Sequence, residues 1–267
     1  MKREHLPLRA YVTNLASSGR YDFSPAEARF ALGTSPAATK LALSRLAKQG
    51  AIASPARGFY IIVPPEYRSL GSLPADQFIP ALMKRLGLPY YVGLLSAAQY
   101  HGAAHHRPQQ FQVMLPRNRR PIRCGSVQVT FFARKRIAEV PHQSFNTPRG
   151  TIEVSTPEAT AIDLIGYQHS IGGLDQVATI LSELAERIDP VKLADAAKTA
   201  PPPWAQRLGY LLEQIGADDA LLRPLQDYVK DHASRPANLL PAPSKNATTR
   251  RSEKWKLVVN ADIQAET

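Results

Sequence analysis

Three kinds of residue in this sequence have the type and spacing to do chemistry: clustered histidines, acids inside apolar runs, and cations gathered on a helix. The histidines form one cluster, His101-Gly102-Ala103-Ala104-His105-His106. His101 and His105 would share a helical face as a metal pair if the helix ran on. Gly102 argues against that, and no nearby Cys, Asp or Glu completes a ligand set. The cluster is therefore expected at a helix-to-strand corner, bonded to backbone or to a neighbouring surface. Asp163, in Ala161-Ile162-Asp163-Leu164, is the acid inside an apolar helix, and a backbone or Arg contact is its expected role. Cys124 is the single cysteine and has no catalytic context. No Gly-rich phosphate loop, G-x-S-x-G elbow or paired-carboxylate motif occurs. The expectation is a protein that is not an enzyme, with no catalytic residue, no cofactor and no metal.

The cations say more. From Ala28 to Pro65 there is no acidic residue, while Arg29, Lys40, Arg45, Lys48 and Arg57 supply positive charge. A helix turned only to solvent would mix both signs. Thr39, Lys40, Ser44, Arg45 and Lys48 are candidates for base-edge or phosphate contacts in duplex DNA, with Lys40 and Arg45 leading. Arg57 is the candidate at the tip of a following hairpin. The competing reading is a basic face that binds a protein. A second basic stretch, Arg117, Arg119, Arg120 and Arg123, is a candidate for additional nucleic-acid or partner contact.

Such residues need elements to hold them. Residues 6–17 carry apolar positions at helical spacing and stop at Ser17-Ser18-Gly19. Ser24-Pro25-Ala26-Glu27 reads as a capping box opening a helix over about 25–32 that Gly33 ends. Ser35-Pro36 opens the next, with Leu41, Leu43, Leu46 and Ala47 as its apolar positions and Gly50 as its stop. Ile52-Ala53 and residues 58–63 read as strands joined by Ser54-Pro55-Ala56-Arg57. This order, helix–turn–helix then hairpin, is that of a winged helix-turn-helix, whose second helix enters the major groove. Farther on, helices are expected over 75–86 and 94–101, strands over 111–115, 128–132 and 151–154, and helices over 159–167, 173–187, 190–198, 202–215 and 219–231. Residues 233–250 should be irregular and 255–259 a strand. The fold class is α+β: a winged helix-turn-helix over 1–65, then a larger α+β domain over 66–267 with strands first and helices later.

Composition narrows the class. The chain has 267 residues and a net charge of +11, and 44% of it is apolar, which suits two packed domains. Residues 1–65 carry nine Lys/Arg against three Asp/Glu, residues 66–150 twelve against three, and residues 151–267 twelve against sixteen. The positive field thus covers the first 150 residues, as in a protein that neutralises phosphates at one end. No apolar run approaches the ~18 residues of a membrane helix, and no signal peptide is evident. One cysteine fits a reducing compartment, so a cytoplasmic location is expected.

Several stretches together resemble the AbiEi antitoxins of type IV toxin–antitoxin and phage abortive-infection systems. They are the winged helix, Val154-Ser155-Thr156-Pro157-Glu158-Ala159-Thr160-Ala161-Ile162-Asp163-Leu164, Gly172-Gly173-Leu174, Gln206-Arg207-Leu208-Gly209-Tyr210-Leu211-Leu212-Glu213, and Trp255-Lys256-Leu257-Val258-Val259-Asn260. The resemblance implies a protein encoded beside a nucleotidyltransferase-like toxin. Its N-terminal domain would bind promoter inverted repeats and repress the operon. Its C-terminal domain would counteract the toxin, without a stable complex. Thr156, Pro157, Glu158, Asp163, Arg207, Gly209 and Glu213 match the second-domain signature, and their residue types read as structural: a helix cap, a helix–helix ion pair and close packing at Gly209. Two other functions stand beside this one: a winged-helix regulator whose second domain senses a ligand or protein unrelated to a toxin, and a nuclease-like or nucleotide-binding enzyme. Oligomeric state is open, since no heptad seam argues for a dimer.

Overall fold

The computed structural model describes residues 7–103, 109–240 and 249–263. The chain opens with α1 (Leu8–Ser17), β1 (Asp22–Phe23), α2 (Pro25–Leu32), α3 (Pro36–Lys48), β2 (Ile52–Ala56) and β3 (Phe59–Ile62). It continues through α4 (Ala75–Leu86), β4 (Tyr91–Val92), α5 (Leu94–Tyr100), β5 (Phe111–Leu115), β6 (Ile122–Cys124), β7 (Val127–Ala133), β8 (His142–Thr147) and β9 (Gly150–Ser155). It ends with α6 (Pro157–Gly166), α7 (Leu174–Leu184), α8 (Pro190–Ala197), α9 (Pro202–Gln214), α10 (Asp219–His232), β10 (Ala237–Asn238), β11 (Arg250–Ser252) and β12 (Leu257–Val259). The class is α+β.

Internal contacts group these elements into two compact units. The first joins residues 1–90, 109–133 and 144–153, and the second joins 91–108, 134–143 and 154–267. Within the first unit, α1, α2 and α3 close over Val12, Phe23, Leu43, Leu46, Ile52 and Ile62. The three short strands form a sheet in the order β1-β3-β2, with Asp22 opposite Ile61 and Ile52 opposite Ile62. Side chains alternate across a strand, so β3 serves two cores. Ile62 faces the helices, whereas Phe59 and Ile61 join a second core with Leu73, Phe78, Ile79, Val113 and Val129 from α4, β5 and β7. The expected boundary at residue 65 therefore falls between elements whose apolar side chains share one interior. In that second core β5 and β7 run parallel, Phe111 opposite Val129 and Leu115 opposite Ala133, with β6 antiparallel on the far side of β7.

The second unit is mainly helical. α6 is buried from Glu158 to Ile165, as a helix covered on all sides must be, and α7, α8 and α9 pack around it. β4 pairs with β9 through Val92 and Val154. β12 lies between β10, parallel, and β11, antiparallel. The strands absent from the sequence reading (β1, β4, β6, β8, β10 and β11) are mostly two or three residues long, too short for a period-two pattern to register.

Candidate nucleic-acid interface

The helix-turn-helix is built by local hydrogen bonding. Ser24 accepts from the Glu27 N–H at 3.1 Å, and the Glu27 carboxylate accepts from the Ser24 N–H at 2.7 Å. This is the expected capping box. The same carboxylate pairs with Arg20. Burial would raise the Glu27 pKa, but the bonds from Arg20 and Ser24 outweigh it and hold the carboxyl at about 2. Gly33 ends α2 in the left-handed region at φ 61°, which a residue with a Cβ rarely adopts. Ser35 then caps α3 through the Ala38 N–H at 3.2 Å.

Thr39 belongs to this scaffold rather than to the surface. Only 2% of it is exposed, its hydroxyl donates to the Ser35 carbonyl at 3.0 Å, and it lies 2.9 Å from the Thr34 hydroxyl. A group so enclosed cannot reach a base edge, and it drops out of the contact set. Lys40, Ser44, Arg45 and Lys48 are exposed. Arg45 and Lys48 occupy the last turn of α3, where cations also complement the helix dipole. Leu41 is also exposed, at 53%, with Leu43 and Leu46 buried behind it. The spacing puts Leu41 and Ala47 with the apolar face, but both lie outward. A groove of about 430 Å³ runs between α2 and α3, lined by Arg29, Pro36, Lys40, Leu43 and Tyr60 among others.

The hairpin is displaced from its expected place. β2 continues through Pro55 to Ala56 over a bulge after Ala53, and Arg57-Gly58 alone makes the turn. Gly58 has φ 73°, a left-handed conformation that glycine adopts without a Cβ penalty. Arg57 remains exposed at the tip. In the same unit β6 packs beside β2. The loop ahead of β6 presents Arg117 and Arg120 to solvent, and Arg123 points outward from the strand. Arg119 is half-buried, its guanidinium 6.0 Å from the Phe131 ring centroid. Arg149 in turn stacks over Tyr21 at 3.4 Å and donates to Gln77 at 2.7 Å, so this cation is held inside the unit.

The second unit has a buried polar centre. Asp163, on α6, accepts from Arg134 Nε at 2.8 Å and from the Tyr91 hydroxyl at 2.6 Å. Arg134 also donates to the Thr199 carbonyl at 3.0 Å and hydroxyl at 3.1 Å, and it lies 5.1 Å from the Trp204 ring centroid. The pair is almost fully enclosed, with side-chain exposures of 3% and 0%. Burial raises the Asp163 carboxyl above its usual range, and Arg134 and Tyr91 oppose that. The carboxylate, guanidinium and phenol hydroxyl are thus bonded to one another and to Thr199, which suits a structural centre. The Asp163–Arg contact was expected. Its partner was not identifiable, because Arg134 opens the run Arg134-Lys135-Arg136 and looks like the rest of a basic surface.

His101 is buried, and its Nε2 lies 2.7 Å from the Ser155 carbonyl, which can only accept, so that nitrogen donates to it. Burial lowers its pKa. His105 and His106 lie outside the described residues, and among those described no group of three or more His, Cys, Asp or Glu could hold a metal ion. Cys124 is buried and unpaired by disulfide, and burial raises its thiol pKa. No helix among the described residues is long and apolar enough to cross a membrane.

Residues 91–214 match the family model of the AbiEi antitoxin C-terminal domain. The chain carries an AbiEi antitoxin domain. Its first matched residue, Tyr91, is also where the second compact unit begins. No curated protein sequence is significantly similar to the chain. Among solved structures, the RV2827C protein from Mycobacterium tuberculosis superposes with a TM-score of 0.66 at 18% identity, over 96% of this chain and 92% of that one. This is a likeness of fold across nearly the whole length. An antigenic nucleotidyltransferase-like protein from Paracoccidioides brasiliensis gives 0.34 at 8% identity over 58% and 90% of the two chains. The antibiotic-resistance factor ANT(2'')-Ia gives 0.29 at 12% over 58% and 88%. Scores that low carry no structural argument.

Within the AbiEi domain the signature residues hold the fold. Thr156 caps α6 through the Ala159 N–H at 3.3 Å. Glu158 reaches across to accept from the Asp189 N–H at 3.0 Å, at the start of α8. Gly209 faces the Trp255 ring so closely that an added Cβ would lie 2.0 Å from it. The expected helix–helix ion pair is not formed. Arg207 donates instead to the Asn238 carbonyl at 2.9 Å, and Glu213 pairs with Lys254 at 2.7 Å while accepting from the Trp255 indole at 2.9 Å.

Proposed function

We propose that the chain is an antitoxin that also represses its own operon, binding promoter inverted repeats through the winged helix and counteracting a nucleotidyltransferase-like toxin through the AbiEi domain. The AbiEi match supports the antitoxin role. One observation carries the DNA-binding half: α3 exposes Lys40, Ser44, Arg45 and Lys48 with no acidic residue on the helix, and Arg57 stands at the turn of the hairpin behind it. A helix of that charge enters the major groove with its side chains on base edges and phosphates, while the wing reaches the flanking backbone. β6 beside β2 puts Arg117, Arg120 and Arg123 in the same compact unit as the wing, which favours a footprint extended by that loop. The toxin partner and an antagonism without a stable complex follow from the family resemblance, and the protein is read as a non-catalytic, cytoplasmic regulator.

Replacing Lys40 and Arg45 together with Ala should weaken binding to the promoter at least tenfold, since each base contact is worth about 1–3 kcal/mol. A gel-shift titration checks this, and unchanged affinity removes the assignment. Replacing Arg117, Arg120 and Arg123 should flatten the dependence of log affinity on log salt by about 0.9 for each phosphate no longer neutralised. An unaltered slope would mean the loop does not touch DNA. Co-expression with the adjacent open reading frame tests the antitoxin half: rescue of growth by the full chain is the expected result.

A further inference from the structure

Leu41 is out of place for a solvated helix. The interior of α3 is reached by Thr39, Leu43 and Leu46, and Leu41 lies on the opposite side with half its surface in water. Residues three and four positions away share its face, and these are Ala37, Ala38, Ser44 and Arg45, all exposed. The face therefore has two chemistries in series. Its N-terminal half is apolar and shallow (Ala37, Ala38, Leu41), and its C-terminal half is polar and cationic (Ser44, Arg45, Lys48).

Scattered exposed leucines are ordinary on protein surfaces. This one is continuous with two alanines, ends on cations and has no acidic neighbour on its helix. The floor of the DNA major groove offers the complementary pair of chemistries. Thymine projects a C5-methyl group, an apolar knob that is read by apolar side chains, and guanine N7 and O6 accept from cations. Two alanines ahead of Leu41 keep the leading half of the helix thin, which lets its backbone approach the base edges. The phosphates that border such a groove match the surrounding positive charge.

We infer that Leu41 is a specificity-determining residue that packs on thymine methyl groups in the operator, flanked by Ala37 and Ala38. This rests on the winged-helix reading and goes beyond it by giving the apolar part of the face a ligand. The requirement is chemical: the half-site must present thymine methyls where the N-terminal half of α3 enters the groove, with phosphates or guanine edges one turn on.

The test exploits the one-methyl difference between thymine and uracil. DNA immediately upstream of this chain's own open reading frame is amplified with dTTP or with dUTP, and binding of the full chain is measured by fluorescence anisotropy at fixed salt. The wild type should prefer the thymine duplex by about fourfold or more, the equivalent of one buried methyl. Leu41→Ala should lose affinity for the thymine duplex alone, bringing the ratio towards one, and Leu41→Met should restore the preference by restoring apolar bulk. Lys40→Ala should weaken both duplexes alike. Equal wild-type affinity for the two duplexes, or a preference that survives Leu41→Ala, overturns the inference while leaving DNA binding intact. Absence of wild-type binding to either duplex overturns the winged-helix reading itself.

Discussion

Asp163 shows what one buried charge demands of its surroundings. An isolated carboxylate inside α6 would be costly, and removing the partner of a buried pair typically costs about 3–5 kcal/mol because the remaining charge is left uncompensated. Arg134→Met should therefore destabilise the second unit by about that amount in a urea titration followed by tryptophan fluorescence, Trp204 being stacked near the guanidinium. Adding Asp163→Leu should recover part of the loss, since an apolar pair of similar size leaves no orphan charge. Strictly additive losses would show that the two groups are not coupled. The acid itself was legible in the sequence, being the polar interruption of an apolar helix. Its cation was not, because the 29-position separation of Arg134 and Asp163 hides a pairing that only tertiary packing makes.

At the scale of elements, the helix boundaries of the helix-turn-helix were readable because caps are local chemistry. Ser24, Glu27, Gly33 and Ser35 each act within four residues of themselves. The orientation of α3 was less readable, since three leucines spaced 41, 43 and 46 fit a helical face in more than one rotation, and the core selects Leu43 and Leu46. The Ser24–Glu27 box also carries a pH dependence with a definite sign. Glu27 is held at about 2 in the folded chain against 4.5 for the free group, so its contribution is present above about pH 4.5 and is lost as pH falls through the window to about 2. Glu27→Gln should lower the melting temperature of the first unit at neutral pH, and the gap from wild type should narrow steadily between about pH 5 and pH 2. A gap independent of pH would rule out a charge-based role. The carboxylate is more than a third exposed, so solvent screening keeps the effect small.

For the whole molecule, the charge count separated a basic first 150 residues from an acidic remainder, and the order of strands before helices gave the α+β class. The compact units were not legible, because they are defined by which apolar faces meet and not by where composition changes. Phe59 and Ile61 are the decisive residues: they belong to the wing by sequence and to the α4–β5–β7 core by burial. A fragment ending at residue 65 would expose both. It should melt without a cooperative transition, whereas a fragment ending at residue 155 should show one by circular dichroism. A cooperative melt of the shorter piece would make the winged helix self-sufficient after all.

The discontinuity of the first unit also sets a clock on synthesis. Because the core around Phe59 and Ile61 draws on residues as late as Phe131, it cannot close while the ribosome is still working through the intervening segments. At about 5–20 residues per second, the wing would wait roughly 3–14 s between its own emergence and the arrival of its last packing partners. During that interval Phe59 and Ile61 are unprotected apolar surface on a nascent chain. On the proposed function, a chain so built becomes competent to bind DNA only once about half of it has been translated, so truncated products of its own message should neither occupy the operator nor compete with the finished protein.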